Sequence, residues 1–257
     1  MCKKDILFID TALAVQIPYD SADSSIASHT ISTAQESGWI WDIGLRTRRG
    51  VGHVYSSKHS SQERAEQLLR DYLAESIGDK AKDLSFRKID INPGVREKFR
   101  VNNCVAVGMS AGFLEPLEAS ALVMIELACA SISEQLPANR ETMDIVAKSY
   151  NDKFQYNWDR VIDFLKLHYV ASKRADSAFW RDNRDPETIP ESLQELMSLW
   201  QHRSPSEYDF QRKREMFSAA SYQYVLYGMD YNHSIETGFV SDDVQRKAAN
   251  CLPKTSS

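Results

Sequence analysis

The chain has 257 residues, of which 42% are hydrophobic and 26% are charged, so it is long enough to bury a substantial core. A net charge of −5 argues against nucleic acid as the main partner, and no apolar run is long enough for a membrane-spanning helix. The N-terminus lacks a signal-peptide pattern, and the four cysteines show no C-x-x-C spacing. We therefore expect a cytoplasmic protein with reduced thiols, with Cys104 and Cys129 in its core.

The first hundred residues are rich in predicted strands. Seven runs are apolar or alternate between apolar and polar residues: 6–9, 12–17, 28–34, 38–45, 51–56, 86–91 and 96–100. In the fourth run, Trp39, Trp41, Ile43 and Leu45 share one face with period two, and the fifth run forms its antiparallel partner. Between the strands, apolar residues at helical spacing predict a helix at residues 62–77.

A strand-turn-helix pattern follows. Residues 104–107 predict a buried strand, Gly108 begins a turn, and Pro116 precedes a predicted helix over residues 117–136. Such a turn exposes backbone N–H groups and the positive end of a helix dipole, which suits an anion or the polar edge of a cofactor ring. Glu118 is expected in the first helical turn, where the helix dipole alone already favours a carboxylate.

The remainder of the chain is predicted to be helical. Three further helices are expected, at residues 139–169, 192–200 and 208–227, before a loose polar tail beyond residue 238. An antiparallel sheet followed by helices predicts an α+β fold. The G-x-G-x-x-G fingerprint of a dinucleotide site does not occur in the sequence.

Two motifs resemble the flavin-dependent tryptophan halogenase family. Residues 39–43 read W-I-W-D-I, which is similar to that family's W-x-W-x-I-P motif with Gly44 in place of the proline. Residues 101–121 resemble its flavin-contacting and catalytic-glutamate segment, with Ala119 where serine is usual. Weaker similarities extend the resemblance over most of residues 5–230.

The resemblance implies an enzyme that uses FAD, reduced by a separate flavin reductase, with oxygen and chloride or bromide. Its substrate would be tryptophan or another indole or aromatic compound. By position in the motif, Glu118 would polarise the halogenating species and take up the proton lost from the aromatic ring. Ser120 and Ala121 would hold the halide.

The same resemblance assigns further roles. The residues that would contact flavin are Gly108, Met109, Ser110, Ala111, Gly112, Phe113 and Leu122. Trp39 and Trp41 would screen the flavin, and Tyr222 and Gln223 would contact substrate. No metal site is expected, because the histidines show no H-x-x-x-H spacing. Three lysines that could be confused with the family's reactive lysine are interpreted as solvated surface residues: Lys148, Lys166 and Lys173.

The implied fold is the second half of an FAD-binding fold of the flavin monooxygenase type. Residues 1–136 would form a partial flavin- and substrate-binding region, 137–238 a helical region that caps the substrate, and 239–257 a flexible tail. The family's nucleotide-binding half would precede residue 1, so the resemblance implies a C-terminal portion that is inactive alone. Its partner would be the missing half or a second copy.

Two other hypotheses remain open. The chain could be a non-catalytic remnant that binds an aromatic ligand or a partner, or part of a flavin-dependent aromatic monooxygenase. The paired tryptophans of the W-x-W motif count against the monooxygenase.

Overall fold

A computed structural model describes residues 5–21, 23–212 and 215–231. Its strands are β1 (Thr11–Pro18), β2 (Ile31–Gln35), β3 (Gly38–Gly44), β4 (Arg48–Tyr55), β5 (Arg87–Asp90), β6 (Gly94–Val95), β7 (Arg100–Val101), β8 (Cys104–Val105) and β9 (Gly112–Phe113). Its helices are α1 (Gln62–Ile77), α2 (Ser120–Glu134), α3 (Arg140–Ala171), α4 (Ala178–Asp182), α5 (Glu191–Trp200) and α6 (Ala219–Gly228). This combination of an antiparallel sheet with helices confirms the predicted α+β class.

A five-stranded antiparallel sheet in the order β2-β3-β4-β1-β5 forms the first half of the fold. Both faces of β3 are covered near its start: Trp39 faces one core cluster, whereas Ile40 faces another that includes α1. The predicted antiparallel pairing of β3 with β4 is confirmed. Burial on the face of Trp39 does not extend along the chain, because Ile43 and Leu45 are both 39% exposed. Asp42, on the face of Ile40, is the buried neighbour instead.

Helix α1 covers the second face of the sheet. It begins after Ser61, whose hydroxyl accepts a hydrogen bond from the N–H of Arg64 at 3.2 Å. Its buried face consists of three residues at helical spacing: Ala65, Leu69 and Leu73. The hydroxyl of Tyr72 donates to Asp42 at 3.1 Å, so the buried carboxylate of the strand has a partner on the helix.

Two short antiparallel strand pairs connect the sheet to α2. Strand β6 pairs with β9, and β7 pairs with β8. The predicted strand at 96–100 is therefore wrong, since residues 96–99 only link β6 to β7. The predicted buried strand at 104–107 is reduced to Cys104–Val105 at the surface. Cys104 and Cys129 are both exposed, so their predicted core position is wrong as well.

The segment at residues 6–9 is buried without being a strand. Leu7 and Ile9 are buried in the core, but residues 5–10 contain no strand. The carbonyl oxygen of Ile6 instead accepts a hydrogen bond from the Nζ of Lys166 at 3.0 Å. A tertiary contact thus takes the place of sheet pairing.

Helix α3 connects the two parts of the core. Asn139 caps it by accepting from the N–H of Thr142 at 3.0 Å. Phe154 and Trp158 pack with the sheet side, whereas Phe164 packs with α5 and α6. The predicted helix at 139–169 is confirmed, and the division into domains at residue 136 stays a prediction.

The last predicted helix is shorter than expected. The helix at 192–200 is confirmed, but α6 covers only Ala219–Gly228, and Glu207–Asp209 forms a separate 3₁₀ turn. Residues 213–214 and the predicted tail lie outside the described residues. No helix in the described part of the chain is both long and apolar enough to cross a membrane.

Candidate active site

A cavity of about 730 Å³ lies between the sheet and the segment that follows β8. Trp41 of β3, the chain around β6, residues 109–113 and Pro116 line it. Small-molecule sites in proteins usually measure about 300–1,000 Å³. The cavity is therefore large enough for an aromatic ring system.

The two tryptophans of the W-x-W motif have different positions. Their ring centroids are 6.4 Å apart with an edge-to-face angle of 66°. Only Trp41 lines the cavity. Trp39 is 6% exposed and packs behind it in the core. If these residues screen a bound ring, Trp41 is the one that contacts it and Trp39 supports Trp41.

Most of the expected flavin-contacting residues border the cavity. Residues 109–113 line it, with Met109 79% exposed. Gly108 does not line it but shapes the turn: its φ is +61°, and a β-carbon there would lie 3.2 Å from the Ile125 side chain. Leu122 is 77% exposed on α2 and does not line the cavity. The structure therefore does not place it with the other residues expected to contact flavin.

Glu118 precedes the predicted helix in a short 3₁₀ turn, Leu117–Ala119, so the prediction that it lies in the first turn of that helix is wrong. Helix α2 begins at Ser120, and Glu118 precedes it with φ +65°. Ala119 follows with φ +48°, so two consecutive non-glycine residues have left-handed backbone angles. This conformation is costly for L-residues and is often found at functional sites. Glu118 is also absent from the cavity lining.

His168 of α3 holds the Glu118 carboxylate. Its Nε2 lies 3.0 Å from Oε1 of Glu118, and its Nδ1 lies 2.8 Å from the carbonyl oxygen of Phe164. Because a carbonyl only accepts, Nδ1 carries a hydrogen. A hydrogen bond to Glu118 then needs a second proton, on Nε2 or on the carboxyl group.

Glu115, three residues earlier, is held by the next residue of α3. The hydroxyl of Tyr169 lies 2.8 Å from both carboxyl oxygens of Glu115. Burial raises the pKa of Glu115 to about 8, although the bond from Tyr169 opposes the shift. His168 and Tyr169 thus fix two carboxyl groups of one turn, one half-exposed and one buried.

Lys166 is buried, which contradicts the prediction that it is a surface residue. Its Nζ donates to the Ile6 carbonyl and to Asn183 Oδ1 at 2.9 Å, and burial lowers its pKa to about 7. Lys148 and Lys173 lie at the surface in ion pairs, as predicted. The difference arises because Lys166 lies where α3 is covered by the N-terminal segment and α4.

The expected halide residues lie at the start of α2. Ser120 is half-buried and Ala121 is exposed. Ala119, at the N-cap position, has no side-chain acceptor, so the first N–H groups of the helix have no side-chain cap from it. Such groups attract anions.

The structure does not bring Tyr222 and Gln223 to the cavity. Tyr222 is 1% exposed, and its ring packs 4.8 Å from that of Phe164. Gln223 donates to the carbonyl of Pro205 at 2.7 Å. Tyr222 is therefore a packing residue here, connected to His168 only through Phe164, whose ring lies 5.1 Å from the imidazole. Direct substrate contact by either residue stays a prediction.

Sequence reasoning missed the roles of His168 and Tyr169. No sequence spacing connects them to Glu115 and Glu118. The signal that could have found them is their adjacency near the end of a predicted helix, since two neighbouring polar side chains there can reach one turn. Within the described ranges, no group of three potential metal ligands comes together.

Comparisons with known proteins cover most of the chain. A family model described as tryptophan halogenase matches residues 2–239. The 7-chloro-L-tryptophan 6-halogenase of Kutzneria sp. (strain 744) is 36% identical over 205 residues, which cover 79% of this chain and 38% of that protein. The tryptophan 6-halogenase of Streptomyces toxytricini is 36% identical over 202 residues, with the same coverage of 79% and 38%.

A solved structure is similar over nearly the full length of the chain. The tryptophan halogenase from Shewanella frigidimarina NCIMB 400 superposes with a TM-score of 0.91 at 49% identity, covering 97% of this chain and 47% of that one. The chain thus spans less than half the length of these relatives.

Proposed function

The chain belongs to the tryptophan halogenase family, and we propose that it forms the part of a flavin-dependent halogenase that carries the proton-accepting carboxylate and one wall of the flavin site. The observation that carries this proposal is the 3.0 Å contact between Glu118 and His168. Glu118 lies on the same segment of chain as residues 109–113, which line the cavity. One segment can therefore separate a flavin from the group that handles the substrate proton.

The cavity fits a flavin ring. Trp41, Phe113 and the exposed Met109 offer apolar surface, and the turn after Gly108 allows close approach of backbone. These residues would contact the ring when FAD is bound. Reduced flavin and oxygen would supply the oxidation of chloride or bromide.

Glu118 would act as the base. Substitution of halogen on an aromatic ring releases the proton of the attacked C–H bond, and the carboxylate of Glu118 would accept it. His168 holds the carboxylate in place through Nε2 while Phe164 fixes the tautomer of the imidazole. The uncapped start of α2, at Ser120 and Ala121, would attract the halide.

The substrate would be tryptophan or another indole. The names of the relatives support this class, because both act on tryptophan or chlorotryptophan by their descriptions. Tyr222 would pack against Phe164, which in turn packs against His168, and so would help to position His168 without contacting the substrate.

Activity would need further polypeptide besides the residues of this chain. The sequence has no G-x-G-x-x-G fingerprint, and the chain spans less than half the length of its relatives. Met109, Leu122 and Val123 also leave apolar side chains exposed next to the cavity segment and on α2. We expect a nucleotide-binding unit, or a second copy of the chain, to cover this surface, and a flavin reductase to deliver reduced FAD.

The test is reconstitution. The chain is assayed alone and together with the N-terminal half of the Shewanella frigidimarina halogenase, with FAD, a flavin reductase, bromide or chloride, and a panel of indoles. We expect a halogenated product, identified by its isotope pattern, only in the presence of the added half. Glu118→Gln should lower its formation by about 100-fold or more without changing flavin binding. Glu126→Gln, an exposed carboxylate on α2, is the matched control.

Three outcomes would contradict the proposal. A hydroxylated product formed without halide would indicate a monooxygenase. Aromatic ligand binding without any product, in the reconstituted complex, would indicate a binding module. Halogenation by the chain alone would refute the need for a further unit.

A further inference from the structure

Arg96 is the one basic residue among the described residues that line the cavity beside Trp41. It is exposed, so a ligand in the cavity can reach its guanidinium. Asp90 also lines the cavity, but its carboxylate lies 3.4 Å from the Nζ of Lys88, which is outside the lining. In the described ranges no carboxylate forms such a pair with Arg96, so its positive charge is left for a ligand.

Two hydrogen bonds tie Arg96 to the turn that follows Gly108. The backbone N–H of Arg96 donates to the Ala111 carbonyl at 2.9 Å, and the side-chain Nε donates to the Ser110 carbonyl. A guanidinium has five N–H donors, so the two Nη groups still carry donors for another acceptor. The charge is therefore held at the cavity wall before any ligand arrives.

The turn itself uses several of its polar groups internally. The hydroxyl of Ser110 accepts from the N–H of Val107 at 2.9 Å and donates to the Val107 carbonyl at 2.8 Å. The N–H of Ala111 donates to the Gly108 carbonyl at 2.9 Å. These groups cannot bind a ligand without losing their present partners. Arg96 is therefore the charged donor that this wall of the cavity offers.

A flavin ring changes its charge when it is reduced. The oxidised ring is neutral, whereas the reduced ring readily loses the proton on N1 and then carries negative charge on N1 and the C2 carbonyl. Protein charges near N1 tune the chemistry of the ring. A hydrogen bond between a guanidinium and an anionic edge is roughly twice as strong as one between neutral groups. A fixed cation in a flavin cavity therefore favours the reduced ring.

We propose that Arg96 binds the N1 and C2-carbonyl edge of the reduced flavin, and that the cavity therefore selects the reduced ring over the oxidised one. This inference rests on the proposed function, because it takes the cavity to be the flavin site. It assigns a residue outside the segment 101–121 that carries the motif resemblance. Reduced FAD from a separate reductase would then be the form that this cavity binds best.

The test compares the two redox forms of FAD in the complex with the N-terminal half used for the reconstitution. Arg96→Met removes the charge but keeps a long side chain. It should weaken binding of reduced FAD by about tenfold or more, and of oxidised FAD by at most about threefold. The midpoint potential of the bound flavin, measured anaerobically against a reference dye, should fall by about 30 mV for each tenfold loss of selectivity. Arg96→Lys, which retains the charge, should recover most of the difference.

Arg87→Met is the matched control. Arg87 lies on β5, is exposed and does not line this cavity. Its replacement removes the same charge from a position nine residues earlier, and it should leave the ratio of the two affinities unchanged. An equal shift of the potential in Arg87→Met and Arg96→Met would reveal a general effect of net charge and overturn the assignment.

Further outcomes would also overturn the assignment. Equal weakening of both redox forms in Arg96→Met would mean that the residue only shapes the cavity. Loss of ADP binding with unchanged binding of lumiflavin, the ring without the nucleotide, would place Arg96 at the nucleotide part of FAD.

The failure of this inference and that of the proposed function are distinguishable. If the wild-type complex bound neither form of FAD, the flavin site of the proposed function would be refuted together with this inference. Bound FAD with an unchanged potential in Arg96→Met would refute this inference alone. Affinity and potential are measured without turnover, so a failed halogenation assay would not decide them.

Discussion

Trp41 lies directly against Gly52 on the neighbouring strand. The two residues are opposite each other in the β3–β4 pair, and a β-carbon at position 52 would stand 2.1 Å from Cζ2 of Trp41 and 2.5 Å from the Leu13 carbonyl oxygen. The indole that lines the cavity therefore occupies the space that a side chain at position 52 would need. The place of Trp41 depends on a glycine in another strand.

Gly52→Ala should displace the Trp41 ring and lower the free energy of unfolding by about 1–3 kcal/mol, because the sheet cannot make room for the methyl group. Urea denaturation measures the loss, and the NMR shifts of the indole report the displacement. Gly50→Ala on the same strand is the control, since nothing lies within 4 Å of its β-carbon. Equal effects at the two positions would show that the contact does not determine where the indole lies.

Ala119→Gly should stabilise the protein by roughly 0.5–1 kcal/mol. Ala119 has φ +48°, and relief of the left-handed conformation outweighs the entropy that glycine adds to the unfolded chain. Ala130→Gly, in the middle of α2, should instead destabilise by about 0.5–1 kcal/mol. Chemical denaturation of both variants tests the opposite signs, and a loss of stability in Ala119→Gly would contradict the strained turn.

Glu115→Gln should become more stable relative to the wild type as the pH rises from about 4.5 to about 8. The folded protein raises the pKa of Glu115 from 4.5 to about 8, so the wild type loses stability across this window as the unfolded chain ionises first. Glutamine has no proton to lose. The gap should widen by at most about 1.4 kcal/mol per pH unit and then level off.

The measurement for Glu115→Gln is the free energy of unfolding at several pH values. Glu115 also raises the pKa of Lys166, so the variant changes the titration of that lysine as well, and the difference between the two proteins reports the pair. Glu126→Gln serves as an exposed control whose difference from the wild type should not follow this course. A flat difference for Glu115→Gln would mean that its carboxyl group is not kept protonated by burial.

His168→Phe should loosen the turn that carries Glu118. Phenylalanine can keep the contact with the Phe164 ring but removes the 3.0 Å bond from Nε2 to the carboxylate. Amide hydrogen exchange in residues 117–121 should become about tenfold faster, as expected for the loss of one charge-assisted hydrogen bond. His202→Phe, at an exposed position, is the control and should leave these rates unchanged. Unchanged rates in His168→Phe would show that the bond from His168 does not stabilise the turn.

Several elements could be predicted because their signals are local. The period of apolar residues identified the strands around Trp39 and the helices α1, α3 and α5, and the W-x-W and glutamate motifs identified the family. The errors occurred where neighbours decide the outcome. Residues 6–9 are as apolar as a strand, but α3 and α4 bury them without pairing, and Glu118 leaves the helix because its turn adopts left-handed angles.

The sequence by itself determined the fold class and the family, because strand alternation, helical spacing and motif residues depend on short stretches of chain. Only the tertiary structure decided that Trp41 and not Trp39 borders the cavity, that Tyr222 is buried, and that His168 holds Glu118. These facts depend on which side chains from distant segments meet, and a three-dimensional packing arrangement sets that.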